Sequence, residues 1–582
     1  MLSFTINPDF GQVEADPSVV NLSSFETYFN EKRPFFIENQ EITNFIFSFK
    51  GENLFYSRRI GRQPHYYPDL GDNEYASVPS NTRILGAFKV SGKSKNGLSL
   101  SIIDAVTNNE YAKIQDTEGN NRKEIVEPLT NYFLARVQKD INKGNSMIGG
   151  IFTNTYRVIN SDNLNFIPKT ASVAGLDFTQ YILERKYYFS AKAIISNVIG
   201  SKEAITDLQM APQRYLQRPD ALYASVDTNA NSMTGSYLNF SFGKSGMKGL
   251  RYNMSFYIGS PRFEVNDMGY LRQTDYLINL FWIGYSLPNS YKNINAFNIN
   301  YAYWGGFDYG FGSPFFGYNI NSYLQFKNLW SLAFYFENDL FSHDKELLRG
   351  GPSVPFPPNL NARFSFETNQ NKKFIFGSYI VYSDQDFDIY NKYGGGIELT
   401  YKPFNFVTLS AQGYYIFNHN SLQYVDKIEE TENYYILSSI NQNTVNFTLR
   451  CDINITPEIT IQYYGSPFIS DVYYYDFKNM IDPANEDYYS RFILSPKGTF
   501  DLNNDGIDEY QVGNQNFNFQ QFRSNLVFRW EFIHGSVFYL VWSHDQTNIL
   551  DESNFNVLNN FSQLFRIFPS DIIMAKVQFK FI

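Results

Sequence analysis

Asp571-Ile-Ile-Met-Ala-Lys-Val-Gln-Phe-Lys-Phe-Ile582 decides how the rest of the chain is read. Ala575, Val577, Phe579 and Phe581 alternate there with Lys576, Gln578 and Lys580. Successive side chains of a strand point to opposite faces, so this stretch is a strand with one apolar and one charged side. A soluble sheet can do this once. A chain that repeats it many times, and ends on such a strand, reads as a transmembrane β-barrel.

The pattern recurs. Trp330, Leu332, Phe334 and Phe336 oppose Ser331, Ala333, Tyr335 and Glu337. Phe447, Leu449, Cys451, Ile453 and Ile455 oppose Asn446, Thr448, Arg450, Asp452 and Asn454. Leu526, Phe528, Trp530 and Phe532 oppose Asn525, Val527, Arg529 and Glu531. Arg450 and Asp452 in mid-strand suit a wet lumen better than a dry core. Earlier hairpins are marked by Lys93-Ser-Lys-Asn-Gly97 and Asn142-Lys-Gly-Asn145. Ser201 to Gln217 lacks alternation and is expected to hold a short helix in a loop. Short connections, at Asn328 and Gly535, alternate with long ones, 338–360 and 476–518, as barrels place short turns on one side and long loops on the other. The expectation is an all-β, large antiparallel barrel of roughly 18 strands, range about 16–22, over residues 71–582.

Composition agrees. Aromatic residues make up 18% of the 582, and Tyr and Trp favour membrane–water interfaces. The tryptophans Trp282, Trp330 and Trp530 fall in strands, where they read as membrane girdles. Mean hydropathy is -0.35, which a barrel reconciles with its aromatics by turning half of each strand to a polar interior. The most apolar run, Tyr276 to Tyr285, is about half of the ~20 residues a membrane-spanning helix needs. Net charge is -10 with no basic block, which argues against nucleic acid. The single Cys451 excludes an intrachain disulfide and a thiolate metal cluster. Met1-Leu-Ser-Phe4 shows neither a basic n-region nor an apolar h-region. A barrel must be exported, so the chain is expected to be a mature or truncated form.

Residues 1–70 differ from the rest. After a strand, Leu2 to Ile6, charges of both signs mix with aromatics: Glu14, Asp16, Glu26, Glu31 and Glu38 against Lys32, Arg33, Arg58, Arg59 and Arg62. Two readings stand: an ion-pair network that fixes a plug-like segment, partly lumenal or periplasmic, or charges that line a pore and select solutes. Asn7 to Pro17, Phe25 to Glu38, Tyr56 to Arg62, Gly86 to Ala105, Glu127 to Arg157 and Leu526 to Trp542 together resemble a Bacteroidetes outer-membrane barrel family of unknown function. Members of that family usually follow a family-9-like carbohydrate-binding module, which is absent here along with the first strand of the opening hairpin. Phe581 resembles the near-terminal aromatic by which the barrel-assembly machinery recognises outer-membrane barrels, with Ile582 one residue beyond it. The resemblance implies the bacterial outer membrane as location, its lipid as partner, and a relation to glycans; it implies no activity.

Enzyme signatures are missing. His65, His343, His419, His534 and His544 form no His-Glu-x-x-His and meet no Gly-x-Ser-x-Gly elbow. Gly92-Lys-Ser94 and Gly243-Lys-Ser245 lack the preceding glycine spacing and following helix of a phosphate loop. Gly394-Gly-Gly396 opens an alternating strand and reads as a bend in a barrel wall. Asp501, Asn503, Asp505 and Glu509, with Gly506 at the turn, begin a calcium loop, but Val512 replaces its twelfth-position Glu. The stretch reads equally as a weak Ca²⁺ site or as an acidic solvated turn. The expected function is a non-enzymatic pore or receptor-like channel for a glycan or small solute. The alternatives are a surface glycan hydrolase and a non-conducting structural or assembly barrel.

Overall fold

The computed structural model describes residues 2–6, 16–246, 248–430, 432–503 and 505–579. Its main sheet has 24 strands. Each pairs antiparallel with its neighbour along the chain, from Leu2–Ile6 against Ile84–Lys93 to Ser570–Gln578 against Ser536–Leu550. Two short strands, Val354–Phe356 and Phe492–Ser495, only extend the ends of Ser331–Asp344 and Ile459–Met480. With those two set aside, 22 strands follow one another along the sheet, at the upper end of the expected range of about 16–22; turns such as Asn405-Phe406, with neither Gly nor Pro, leave little signal between neighbouring strands. The stretch 338–360, expected as one loop, is strand up to Asp344 and again from Asn359. The helix expected in 201–217 is Lys202–Met210; the Ser201 side chain caps it by accepting the Ala204 N–H.

The connections alternate in length. Residues 94–97, 142–145, 183–186, 405–406 and 534–535 turn tightly on one rim. Residues 108–128, 159–169, 200–231, 260–275, 481–516 and 551–569 all stand on the other. A small sheet of Glu74–Ser77, Glu110–Asp116 and Asn121–Glu127 also stands on this second rim.

The sheet is curled around residues 16–62. Lys89 on Ile84–Lys93, Lys192 on Tyr187–Ile199, Gln423 on Val407–Glu429 and Gln521 on Phe517–Ile533 all bond to that segment. Strands from far along the meander thus converge on one piece of chain. Among the described ladders none joins the two end strands, Leu2–Ile6 and Ser570–Gln578.

Strand register carries the face that touches this segment around the sheet, and the polarity of the two faces is inverted relative to a soluble protein. On the inner face Lys89 is 2% exposed and Arg136 3%. On the outer face Phe447 is 44% exposed, Leu449 54% and Ile573 76%. Ala575, Val577 and Phe579 share the face of Ile573, as the alternation of this last strand requires; Phe581 and Ile582 lie outside the described residues. Trp530 and Trp542 stand on the outer face, but Trp282 corrects the girdle expectation. It pairs in register with Asn253 on the inner face, and Arg251 lies over its ring at 5.2 Å.

Among the described residues no helix is long and apolar enough to cross a membrane; that observation does not bear on spanning by strands.

Candidate functional site

Residues 16–62 fill part of the space inside the sheet, and short-range chemistry shapes them. Pro34 starts the helix Pro34–Ile37, where its missing N–H costs nothing. Asn39 follows in the left-handed region, which Asn tolerates, and turns the chain into Gln40–Thr43. Phe36, Phe45, Phe47, Leu54 and Ile60 then pack against Ile103, Leu134, Val173, Tyr237 and Tyr276 of the inner wall. Phe263, Val265 and Met268 from the connection 260–275 complete this core.

The charges gathered from the sequence are largely brought together as pairs. Arg58 holds Asp16 with two bonds of 2.8 Å and also donates to the Asn30 carbonyl. Lys32 approaches the same Asp16 at 3.8 Å. Glu31 accepts the backbone N–H groups of Lys32 and Arg33, the Arg33 guanidinium at 2.7 and 2.8 Å, and the Ser57 hydroxyl at 2.5 Å. Burial alone would raise the Glu31 carboxyl, but the Arg33 and Ser57 bonds outweigh it and hold it below the usual range. Arg33 also donates to the carbonyls of Ser57 and Ile60, so one guanidinium staples 31–37 to 57–60. Arg59 pairs with Glu26 at 2.7 Å and donates to the Gly269 carbonyl. Two residues depart from the pattern. Glu38 is exposed; its carbonyl accepts from Lys89 of the wall, and its carboxylate forms no ion pair among the described residues. Arg62 makes no ion pair among the described residues, and burial, then Arg59, lowers its affinity for its proton. Glu14 lies outside the described residues.

Several wall and loop partners carry no signal in the sequence, because their contacts are remote. Arg136 pairs with Asp177 at 2.5 Å and lies over the Phe45 ring. Arg157 pairs with Asp267 at 2.5 Å. Glu52 accepts the backbone N–H groups of Arg272 and Gln273 through one carboxyl oxygen, while the other has no hydrogen-bond partner among the described residues. Burial therefore pushes its carboxyl above the usual range. The one clue to the wall pairs was an Arg at an inner-face position of an alternating strand.

Away from this segment the inner face is wetter. Arg363 lies 4.2 Å from the Tyr379 ring centroid and Arg450 4.7 Å from that of Tyr464. Asn361 donates to Glu337, and Glu398 is exposed on the same face. Gly396 admits the Tyr379 ring; a Cβ there would stand 2.7 Å from it, so this glycine serves close packing. Rings of fixed charge around a wet passage can sort solutes by charge.

Asp501, Asp505 and Glu509 stand on the long-connection rim, with carboxylate oxygens within 4.8 Å of one another. Protein donors already meet them. Asp501 accepts the N–H groups of Asp505 and Gly506, and Glu509 accepts that of Leu502. Asn503 accepts the Asp505 N–H and donates to its carboxylate. Val512 packs against Phe500 and Ile436 and offers no ligand. The arrangement is an acidic turn stabilised by its own amides, with three carboxylates close enough to meet one hard cation. Asn504 lies outside the described residues.

No curated protein matches the chain. Among solved structures, the FrpB iron transporter from Neisseria meningitidis (F3-3 variant) is similar to it over 82% of this chain and 68% of that one, with 10% identity and a TM-score of 0.41. A family profile described as a domain of unknown function, DUF5916, matches residues 1–581, and the chain belongs to that family.

Proposed function

We propose that the chain is an outer-membrane β-barrel whose wall closes on itself and whose lumen is narrowed by residues 16–62, acting as a pore or receptor-like channel without enzymatic activity. The inverted polarity of the wall carries this reading. An apolar outer face with charged groups turned inward is costly in water and favourable in lipid. Closure would remove the two strand edges that a bilayer cannot satisfy. The short-turn rim would then face the periplasm and the long connections the outside. Ile6 and Ile84, the strand ends that flank the inner segment, both stand at the long-connection rim, so that segment would be a constriction hung from the outer end. A glycan or another small polar solute is the substrate class we favour. That preference rests on the resemblance of Phe25 to Glu38 and its companion stretches to a family associated with a carbohydrate-binding module.

Planar-bilayer recordings test the channel. The purified chain is expected to give small or rare conductance steps, and a chain lacking residues 16–62 larger ones. A deletion variant that folds into vesicles and conducts no better would remove the constriction from the reading. It would favour the second reading, a structural barrel, which the dense ties between segment and wall also support.

A further inference from the structure

The last long connection, 551–569, does not extend away from the rim. It folds down against the outer face of the wall. Phe555 and Phe561 meet the rings of Tyr415 and Phe447, and Phe565 meets Phe522. By register these three wall residues belong to the outer face, since they share it with Leu409, Leu449 and Leu526. The wall beneath is polar there. Asp471, Asn518 and Gln520 point outward and are buried, although no inner-face group covers them.

The connection satisfies that patch. Asp471 accepts the Asn554 N–H and the Ser553 hydroxyl. Asn518 donates to the Asn554 carbonyl, Gln520 to the Gln563 side chain, and Gln546 to the Ile567 carbonyl. Asn556 caps the helix Val557–Leu564 by accepting the Asn559 N–H. Asn560 and Leu564 face the wall and are buried. Leu558 on the helix and Phe568 just beyond it are bare, 83% and 94% exposed, while Phe565 bridges from the Phe522 ring of the wall to solvent and stays 53% exposed. Leu558 and Phe565, seven residues apart, share one stripe, with Asn559 and Arg566 beside it.

We infer that residues 551–569 form an interfacial lipid anchor, an amphipathic helix lying in the headgroup–acyl boundary of the leaflet at the long-connection rim. This rests on the barrel reading above. The position argues for lipid as occupant. Below the helix the outer face of the same strands passes through a polar row, Ser524, His544 and Asp571, and then turns apolar through Leu526, Phe528 and Trp530 on one strand and Leu540 and Trp542 on the next. From Leu526 to Trp530 that apolar run spans roughly 13 Å along the strand at about 3.3 Å per residue. The polar groups begin at Ser524, His544 and Asp571 and continue through Gln546, Gln520 and Asn518 toward the rim, so the helix lies above the level at which a bilayer core would end. The bare stripe stands above that polar row, and Arg566 stands where a guanidinium meets lipid phosphate.

Nitroxide labels at Leu558→Cys and Phe568→Cys, in a Cys451→Ala background, test this in phosphatidylethanolamine–phosphatidylglycerol vesicles. Leu540→Cys serves as a wall reference and Glu118→Cys as a loop reference. The expected result is an oxygen-to-nickel accessibility ratio at 558 and 568 several-fold above that at 118 and below that at 540. Ratios at 558 and 568 equal to that at 118, with 540 still lipid-like, would overturn the anchor and leave the barrel standing; a stripe reserved for a protein partner would give this result. A water-like ratio at 540 would overturn both.

Discussion

Leu134 and Glu398 both point to the inside of the sheet, one from Leu129–Ile141 and the other from Tyr390–Phe404, and they meet opposite surroundings. Leu134 is fully buried under the inner segment; Glu398 is exposed. The difference extends to whole strands. Every second residue from Thr130 to Arg136 is buried, whereas no residue of Tyr390–Phe404 is. One side of the interior is therefore a dry core between wall and segment, held by close packing and paired charges. The other is a wet surface on which arginines lie over tyrosines. On the proposed channel reading, solute would pass along the second side, and the first would be the scaffold that holds the constriction.

The largest expected effect lies in the dry region. Phe47 is buried against Tyr237 and Phe263, with ring centroids at 4.8 and 5.7 Å. Phe47→Ala should cost about 3–5 kcal/mol, as truncations of buried aromatics do. Tyr379→Ala on the wet side should cost less than half as much, because water already reaches its surroundings. Thermal or denaturant unfolding in vesicles measures both, and equal losses would erase the distinction between the two sides. The next effect tests outer face against inner. Leu449→Arg and Phe528→Arg should each cost ~2–4 kcal/mol near a bilayer midplane, while Arg450→Gln, on the inner face of the same strand as Leu449, should cost far less. Similar losses for the two kinds of change would reverse the orientation of the wall.

The parts legible in the sequence were those fixed by neighbours in the chain. Phe447 and Leu449 announce their outer face because period-two alternation is local, and the same holds for Ala575, Val577 and Phe579. The pairing of Glu31 with Arg33 lies two residues away and was within reach as well. The two sides of the interior were legible only in part. Tyr132-Phe-Leu-Ala135 is apolar on both faces, whereas Lys392, Gly394, Gly396 and Glu398 make the inner face of Tyr390–Phe404 polar; that contrast hints that the first strand is covered on both sides but does not say by which segment. That contact is set by how a chain of some 500 residues curls. Trp282 shows the same limit: an aromatic in a strand points to lipid or to the lumen according to register, and one residue of shift exchanges the two. The polar outward patch at Asp471 and Asn518 carries no mark in the sequence, because its cover lies 36 or more residues along the chain.

The smallest expected effect concerns the seam between the two sides. Glu346, in the connection after Ser331–Asp344, stands near Lys50 of the inner segment, Arg272 of the connection 260–275, and Lys345 and Asp344 of its own stretch. Lys345 is itself engaged, donating to the Asp275 carbonyl at 2.6 Å and to its carboxylate at 3.2 Å. Burial, and then the Asp344 carboxylate, push the Glu346 carboxyl up to about 8, against the pull of the nearby cations. Its ordinary value is 4.5, so the folded chain binds this proton more tightly than the unfolded chain does. The resulting stability is complete below pH 4.5. It is lost progressively as pH rises from there to about 8, where the folded-state carboxyl also ionises. Glu52 is raised by burial as well and adds in the same direction. The unfolding temperature in vesicles should accordingly fall between pH 5 and pH 9, and Glu346→Gln should flatten that fall without lowering stability at pH 5. A Glu346→Gln chain with the same pH dependence as the native one would mean that this carboxyl ionises in water on the wet side and takes no part in holding the constriction.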